Sequence, residues 1–389
     1  MQIYLDHSAT TPTRTEAIAA MHRVLTAEWG NPSSIHQWGE RSSTAIEQAR
    51  FQVAALLNAN PDAIAFTSGG TEANNQAIMG VTNQYSTPQH VIISSVEHSS
   101  INAPVEWLAT RGWQVTKLPV DRSGRIDPQD LARAIRPNTV LVSVISAQSE
   151  VGTIQPIAQL AAICRQHQVC FHTDAVQAAG KVPIDVRALG IDLLSISSHK
   201  LYGPQGAGAL YIRPGLELIP LLAGGGQEMG WRSGTQAVPQ IAGFGVAAEL
   251  ASEELALENS RLIGLRDRCF ELLANCPILV PTGDRWQRLP HHLSFCLHIP
   301  DRDTSASVTG KTIVRHLNLA GIGISSGAAC ASGKLTPSPI LLAMGYSQTE
   351  AVSGIRLTLG KSTTVADIDW TAMVLKQILD RLVPQLVCA

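Results

Sequence analysis

The chain has 389 residues, a formal net charge of −2 and 15% charged residues, so no basic excess points to nucleic acid or to an acidic membrane surface. Its apolar runs are broken by Gly, Pro or charges before they could cross a bilayer, and its first residues lack the pattern of a secretory signal. The seven cysteines are scattered and form no C-x-x-C pair. We therefore expect a cytoplasmic enzyme without a metal site.

The predicted elements of the central part alternate between short apolar runs and amphipathic helices. The runs cover residues 91–95, 139–146, 169–174 and 191–197, while residues 156–167 carry apolar side chains at helical spacing. Strands that are apolar on both faces and separated by helices favour a largely parallel sheet covered on both sides. The pattern predicts the α/β class.

The pattern of short apolar runs alternating with amphipathic helices ends at about residue 249. Residues 251–275 are predicted to form one long charged amphipathic helix that leads into a second domain, which the length of the chain also favours. That domain has a strand candidate at 293–299, and residues 299–310 and 321–333 are rich in loops. Long polar loops in a compact enzyme usually have a functional role.

A lysine follows the last of the apolar runs, in the sequence Ser197-Ser198-His199-Lys200, and a glycine-rich turn comes after it. A lysine crowded by glycines at the end of a strand is suited to be a nucleophilic amine, which needs neighbours that lower its pKa. Taken alone, Lys200 would be interpreted as an ordinary loop lysine. The neighbouring motifs favour the nucleophile.

An aspartate, Asp174, ends the run 169–174, and Gln177 follows three residues later. Since ligands of a doubly wound sheet bind outside the carboxyl ends of the strands, Asp174 and Lys200 are expected to face one crevice. Asp174 could pair with a pyridinium nitrogen, which strengthens the ring as an electron sink, or it could cap the following helix. One carboxylate is not expected to do both easily.

A glycine pair in Thr67-Ser68-Gly69-Gly70-Thr71-Glu72 follows another apolar stretch and opens a helix near Glu72. Glycines let backbone amides approach an anion, and the N-terminus of the helix adds a favourable dipole. The segment is neither a Walker motif nor a GxGxxG fingerprint. It predicts a phosphate cradle.

The phosphate loop, the aspartate and the Ser-x-His-Lys motif, in this order, resemble the fold-type I pyridoxal-phosphate enzymes. The finer resemblance is to the cysteine desulfurases of the NifS/IscS class, and it covers essentially the whole chain. The motifs that carry it are YLDHSATTP, GNPSSIH, FTSGGTEANN, EHSS, HTDAVQ, SSHKLYGPQG, RSGT, SSGAACAS and IRLTLG. The resemblance implies a large pyridoxal-phosphate-binding domain with a mostly parallel mixed sheet over 14–257, and a smaller α/β domain formed by 1–13 and 258–389.

The cofactor implied by the resemblance is pyridoxal 5′-phosphate, held as a Schiff base on Lys200. Thr235 would reach its phosphate from the other subunit, so the resemblance also implies a homodimer. Asp174 would pair with the ring nitrogen and Gln177 with the ring hydroxyl. The full set of implied cofactor-binding residues is Gly70, Thr71, His98, Ser149, Asp174, Gln177, Ser197, His199, Lys200 and Thr235.

The substrate implied by the resemblance is L-cysteine. Arg356 matches an arginine that holds the substrate carboxylate, a task suited to a guanidinium fork, and Asn31 and His36 belong to the substrate-side wall. His98 matches a histidine that stacks on the pyridine ring and shares proton transfer with Lys200.

Cys330 determines the implied reaction. It lies among small residues in 325–333, where an exposed thiolate could attack sulfur, and its SGxACxS pattern resembles the first group of desulfurases. The resemblance implies that Cys330 takes sulfur from the substrate, giving L-alanine and a persulfide that passes to an acceptor, such as iron–sulfur cluster assembly or thiolated cofactors. The cysteines in apolar or helical sequence, expected to be buried, are Cys164, Cys170, Cys269 and Cys296.

Two segments depart from the family pattern. Gln148-Ser149 replaces a tandem asparagine whose second member contacts the cofactor, so Ser149 offers a shorter contact, and His7-Ser8 replaces Asn-Ala. Alternatives on the same scaffold are a cystine or selenocysteine lyase and an aminotransferase. A different class of alternative is a non-catalytic sulfur carrier or assembly subunit.

Overall fold

The computed structural model describes residues 2–298, 308–327 and 336–383. Within these ranges the strands are β1 (Ile3–Tyr4), β2 (Ile64–Thr67), β3 (His90–Ser94), β4 (Gln114–Leu118), β5 (Thr139–Ser143), β6 (Cys170–Asp174), β7 (Leu193–Ser197), β8 (Gly208–Ile212), β9 (Leu279–Pro281), β10 (His292–Leu297), β11 (Ile322–Gly323), β12 (Ser325–Ser326) and β13 (Ile355–Thr358). The helices are α1 (Thr15–Thr26), α2 (Gln37–Leu56), α3 (Gly70–Thr82), α4 (Ser99–Thr110), α5 (Pro128–Ala134), α6 (Ile157–Gln166), α7 (Val186–Leu189), α8 (Val238–Leu273), α9 (Gly310–Leu319), α10 (Pro339–Ala343), α11 (Gln348–Ser353) and α12 (Val365–Leu382). Short 3₁₀ segments lie at Pro61–Ala63, Ser198–Lys200 and Glu228–Gly230.

The large sheet has the strand order β2-β8-β7-β6-β5-β3-β4. β8 is antiparallel to both of its neighbours, and the remaining pairs are parallel. Alternate residues of β3 belong to two different hydrophobic clusters, with Ile92 in one and Val91 and Ile93 in the other. Each face of the sheet is therefore covered, which explains why its inner strands are apolar on both sides. The predicted α/β class with a mostly parallel sheet is confirmed.

A second hydrophobic core lies around the antiparallel sheet β12-β13-β10-β9. It contains Ile3 and Leu5 from the N-terminus together with residues of α9 and α12. α8 contributes to both cores, through Phe244 to the first and Leu265 to the second. Although α8 spans 36 residues, no helix in the described part of the chain combines the length and apolar character needed to cross a membrane. The domain boundaries at 14–257 and 258–389 stay a prediction.

Three expectations about local structure differ from what is observed. α8 begins at Val238 rather than near residue 251, because its first turns pack on the first core. The segment after Asp174 is a turn rather than a helix. Residues 321–327 include β11 and β12 instead of only loop, whereas 299–307 lie outside the described ranges.

Candidate active site

A cavity of ≈300 Å³ opens at the carboxyl ends of β6 and β7, beside the N-terminus of α3. Parallel strands place their carboxyl ends at one edge of a sheet, and this edge is where such sheets bind ligands. The residues that line the cavity are Ser8, Ala9, Gly70, Thr71, Asn74, His98, Ser100, Ile145, Ser149, Asp174, Val176, Gln177, Ser197, His199, Lys200 and Arg356.

Most of the residues singled out in the sequence meet in this one cavity. The lining includes every predicted cofactor-binding residue except Thr235, which lies exposed on the surface of the chain, as does Asn31. Cys330 lies outside the described residues. Sequence reasoning missed Asn74 and Ser100, although Asn74 stands one helical turn after Gly70 and so shares its face of α3.

Lys200 lines the cavity from the 3₁₀ segment that follows β7. Its Nζ donates to the backbone oxygens of Ser8 and Ala9 at 2.6 Å each, and Gln177 Nε2 donates to the same Ser8 oxygen at 3.0 Å. Burial, with the nearby charge of Arg356, lowers the pKa of Lys200 to about 8. The neutral amine that this favours is the form that attacks a carbonyl carbon.

Asp174 is buried at the end of β6, and both of its carboxylate oxygens accept hydrogen bonds. Oδ1 accepts a hydrogen bond from Val176 N at 2.9 Å, and Oδ2 accepts one from Asn74 Nδ2 at 2.7 Å. Burial raises the pKa of Asp174, while these donors and the nearby His98 and Lys200 oppose that rise. The carboxylate therefore caps the following turn and still lines the cavity, so one carboxylate can combine the two roles that the sequence analysis considered hard to combine.

His98 belongs to the same hydrogen-bonded chain. It is the N-cap of α4, where its Nδ1 accepts from Ser100 N at 3.2 Å and lies 2.7 Å from Ser100 Oγ. The Ser100 hydroxyl accepts in turn from Asn74 Nδ2 at 2.8 Å, which links His98 to Asp174. Because the His98 side chain is exposed within the cavity, its ring is free to stack on a planar ligand.

The N-terminus of α3 forms an anion cradle. A Cβ added to Gly70 would lie 2.7 Å from Val176 Cγ2 and 3.5 Å from Ser197 Cβ, so only glycine lets the helix start this close to the wall. The free backbone amides and the dipole of α3 favour an anion there. His199 pairs with Thr10 Oγ1 at 3.0 Å, and burial lowers its pKa to about 4, so the ring is neutral at physiological pH.

Arg356 reaches the cavity from β13 in the second core. Its Nη2 donates to Asp6 Oδ1 at 2.7 Å and its Nη1 to the Ser149 backbone oxygen at 3.1 Å. Ser325 Oγ donates to the other oxygen of Asp6 at 2.7 Å. The Arg356 side chain lines the cavity, where a guanidinium suits an incoming carboxylate. Ser149, which stands where the family pattern has an asparagine, contacts Arg356 through its backbone oxygen. This contact therefore does not depend on the side chain at position 149.

The four cysteines of the apolar and helical segments do not line the cavity. Cys164, Cys269 and Cys296 are buried, whereas Cys170 is half-buried. Burial raises the pKa of the three buried thiols to about 12 and that of Cys170 well above its usual value. Because the thiolate is the reactive form, these four are poor nucleophiles.

The polar groups that line the cavity fit pyridoxal phosphate. The amides at the start of α3 suit its phosphate, the buried carboxylate of Asp174 suits its ring nitrogen, and the neutral amine of Lys200 suits its aldehyde. A cavity of ≈300 Å³ is within the usual range for a small ligand.

The chain belongs to the aminotransferase class-V family, whose model matches residues 3–370. The cysteine desulfurase IscS of Dictyoglomus turgidum is 45% identical over 383 residues, which cover 98% of this chain and 95% of that protein. A solved structure of a NifS-like protein has a TM-score of 0.90 and 32% identity, and covers 98% of this chain and 100% of that chain. The structure of SspA in complex with cysteine has a TM-score of 0.79 and 34% identity, with 92% of this chain and 99% of that chain covered.

These similarities confirm four predictions made from the sequence: the family resemblance, the fold type, the cysteine desulfurase class of enzyme and the pyridoxal phosphate cofactor.

Proposed function

We propose that this chain removes sulfur from L-cysteine, with pyridoxal phosphate on Lys200, and produces L-alanine and a persulfide on Cys330. The observation that carries the proposal is the meeting of Lys200, Asp174 and Arg356 at one cavity. These groups supply an amine for the cofactor, a carboxylate for its ring and a guanidinium for an amino-acid carboxylate.

The residues that would hold the cofactor occupy three parts of the cavity. Gly70 and Thr71 at the start of α3, with Ser197 and His199 after β7, would bind the phosphate. Asp174 would hold a proton on the ring nitrogen. When bound, pyridoxal phosphate supplies an electron sink that makes the α-hydrogen of an amino acid acidic.

The substrate would bind through its carboxylate to Arg356, whose guanidinium lines the cavity. Lys200 and His98 are the bases that would move the α-proton. Nδ1 of His98 is engaged by Ser100, so we expect its proton to move at Nε2.

The sulfur step would take place at Cys330. Its thiolate attacks the substrate sulfur, a new S–S bond forms, and the carbon–sulfur bond breaks with its electron pair going to carbon. Protonation of that carbon and return of a proton to the α-carbon give L-alanine, and the two sulfur atoms remain on Cys330 as a persulfide. The poor reactivity of the buried Cys164, Cys269 and Cys296 supports Cys330 as the acceptor.

A homodimer is supported by exposed apolar side chains in the segments that contain Asn31 and Thr235. Ile35, in the segment that contains Asn31, is 97% exposed and Met229 is 48% exposed, so a partner that covered them would remove apolar surface from water. Met229 and Thr235 lie close together, because Gln236 Nε2 donates to Glu228 Oε1 at 3.2 Å. We propose that a second copy covers this surface and that Thr235 and Asn31 serve the partner's cavity.

The sulfur acceptor and the location complete the proposal. We propose that the persulfide passes to an iron–sulfur scaffold or another acceptor in the cytoplasm, because relatives of this chain carry the name IscS.

The proposal is tested by incubating the purified protein with L-cysteine and locating the extra sulfur by mass spectrometry. We expect a persulfide on Cys330 and release of L-alanine, with both abolished in Cys330→Ser and retained in the control Cys296→Ser. Full sulfur release by Cys330→Ser would instead favour a lyase, and keto-acid-dependent turnover without sulfur release would favour an aminotransferase. A colourless protein that borohydride does not label on Lys200 would indicate a non-catalytic subunit.

A further inference from the structure

A buried carboxyl, that of Glu97, lies directly before His98 and has no role in the proposed mechanism. Its residue is 3% exposed. Oε1 accepts hydrogen bonds from Ser94 Oγ at the end of β3 and from Ile145 N, just after β5, the latter at 2.8 Å. Oε2 is buried and has no hydrogen-bond partner among the described residues.

Through these bonds Glu97 joins the carboxyl ends of two neighbouring strands. Its backbone oxygen also accepts from Asn102 Nδ2 of α4 at 2.9 Å. The short stretch between β3 and α4 is thereby fixed on both sides, and it is this stretch that presents His98 to the cavity. The position of the His98 ring therefore depends on Glu97.

The charges around Glu97 decide which protonation state it has. Burial is the main cause that raises the pKa of Glu97, and the charge of Asp174 on β6 raises it further. Asp174 has two hydrogen-bond donors and the nearby His98 and Lys200, whereas Oε2 of Glu97 has no compensating group. Burying a carboxylate is costly unless it is paired, so these contacts favour the negative charge on Asp174 over Glu97. Burial raises the pKa of Glu97 to about 8, in agreement with this assignment.

We propose that Glu97 is a positioning residue that works as a neutral carboxyl: it fixes the loop that presents His98, and it leaves the buried negative charge of the site on Asp174. The inference rests on the proposed roles of those two residues.

The protonation state can be read without any turnover. Infrared difference spectra between the wild type and Glu97→Gln, with and without cofactor, should show the C=O band of a carboxylic acid at pH about 6.5 and a carboxylate at about 9.5, on either side of the pKa. The matched control is Glu106→Gln on α4, because the Glu106 side chain is 67% exposed and its removal should leave the band of Glu97 unchanged. A carboxylate band for Glu97 at the lower pH would overturn the proposal.

The positioning role predicts a contrast between two variants. Since an amide is isosteric with a neutral carboxyl, Glu97→Gln should keep cofactor affinity and kcat within about threefold of the wild type at pH 7. Glu97→Ala should lower kcat by about tenfold or more with little change in KM, because His98 is displaced. A tenfold loss in a Glu97→Gln protein with unchanged melting temperature contradicts the proposal, and this measurement decides even where the alanine variant does not fold. Failure of the wild type to bind cofactor on Lys200 would refute the proposed function instead, and the infrared result would be unaffected.

Discussion

At the residue scale, the amine of Lys200 makes capture of the cofactor dependent on pH. Its pKa is lowered from 10.5 to about 8, and only the neutral amine attacks an aldehyde. About half of the amine is neutral at pH 8, against well under about 1% for an unperturbed lysine. The rate at which the cofactor-free protein captures pyridoxal phosphate should therefore rise up to about pH 8 and then level off.

Stopped-flow absorbance across this pH range measures that rate. Lys200→Gln should abolish covalent capture, whereas Lys117→Gln, which changes a lysine on the far edge strand β4, should keep the wild-type profile. A rate that still climbs steeply above about pH 9 would show that Lys200 has an ordinary pKa.

Asn74 is the residue-scale link between Asp174 and Ser100, to which it donates at 2.7 and 2.8 Å. A hydrogen bond to a charged group contributes about 1.5–3 kcal/mol, so Asn74→Ala should weaken pyridoxal phosphate binding by about tenfold or more. Asn74→Asp should weaken it further, because it adds a carboxylate beside Asp174. Absorbance titration measures both, with Asn83→Ala at the exposed end of α3 as the control. Unchanged affinity in Asn74→Ala would mean that the ring nitrogen does not depend on this link.

At the element scale, the close approach of α3 to the turn after β6 is the feature that shapes the cradle. Gly70→Ala would place a methyl group 2.7 Å from Val176 Cγ2, so α3 must shift away from the phosphate site. We expect a loss of cofactor affinity of about tenfold or more, and recovery of most of it in the double variant with Val176→Ala, since two contacting residues couple. Absorbance titration of the single and double variants measures the coupling. Additive losses would show that the clash is not the cause.

How far the sequence predicts this site depends on whether a contact is local. Gly70, Asp174 and Lys200 were recognisable because each follows an apolar run, and the carboxyl ends of parallel strands meet at one edge of the sheet. The contact between Asp6 and Arg356 joins residues 350 positions apart, so no local pattern could indicate it.

The prediction of helix boundaries and of residue roles is also limited to what local sequence can indicate. The charge pattern alone does not indicate the start of α8, because the first turns of this helix are apolar and pack on the first core. Glu97 lies inside a recognised motif, yet its role depends on Ser94 and Ile145, whose side-chain and backbone directions only the fold sets.

At the scale of the whole molecule, the cavity combines parts of both cores, with Lys200 after β7 of the large sheet and Arg356 on β13 of the second. Thr235 lies outside the cavity of its own chain. In a symmetric dimer a residue placed in this way can complete the partner's site. Mixing subunits that carry different substitutions shows whether Thr235 serves the cavity of its own subunit or that of the partner.

Lys200→Gln and Thr235→Val, each impaired alone, should restore activity when their subunits exchange. The hybrid then has one complete site, with Lys200 from one chain and Thr235 from the other, and an equal mixture should approach about a quarter of wild-type activity. Lys200→Gln mixed with Gly70→Ala is the matched control and should give no recovery, because Gly70 and Lys200 line the same chain's cavity. Steady-state alanine release before and after exchange measures the effect. If Thr235 served its own subunit, no hybrid would contain a complete site and both mixtures would stay inactive.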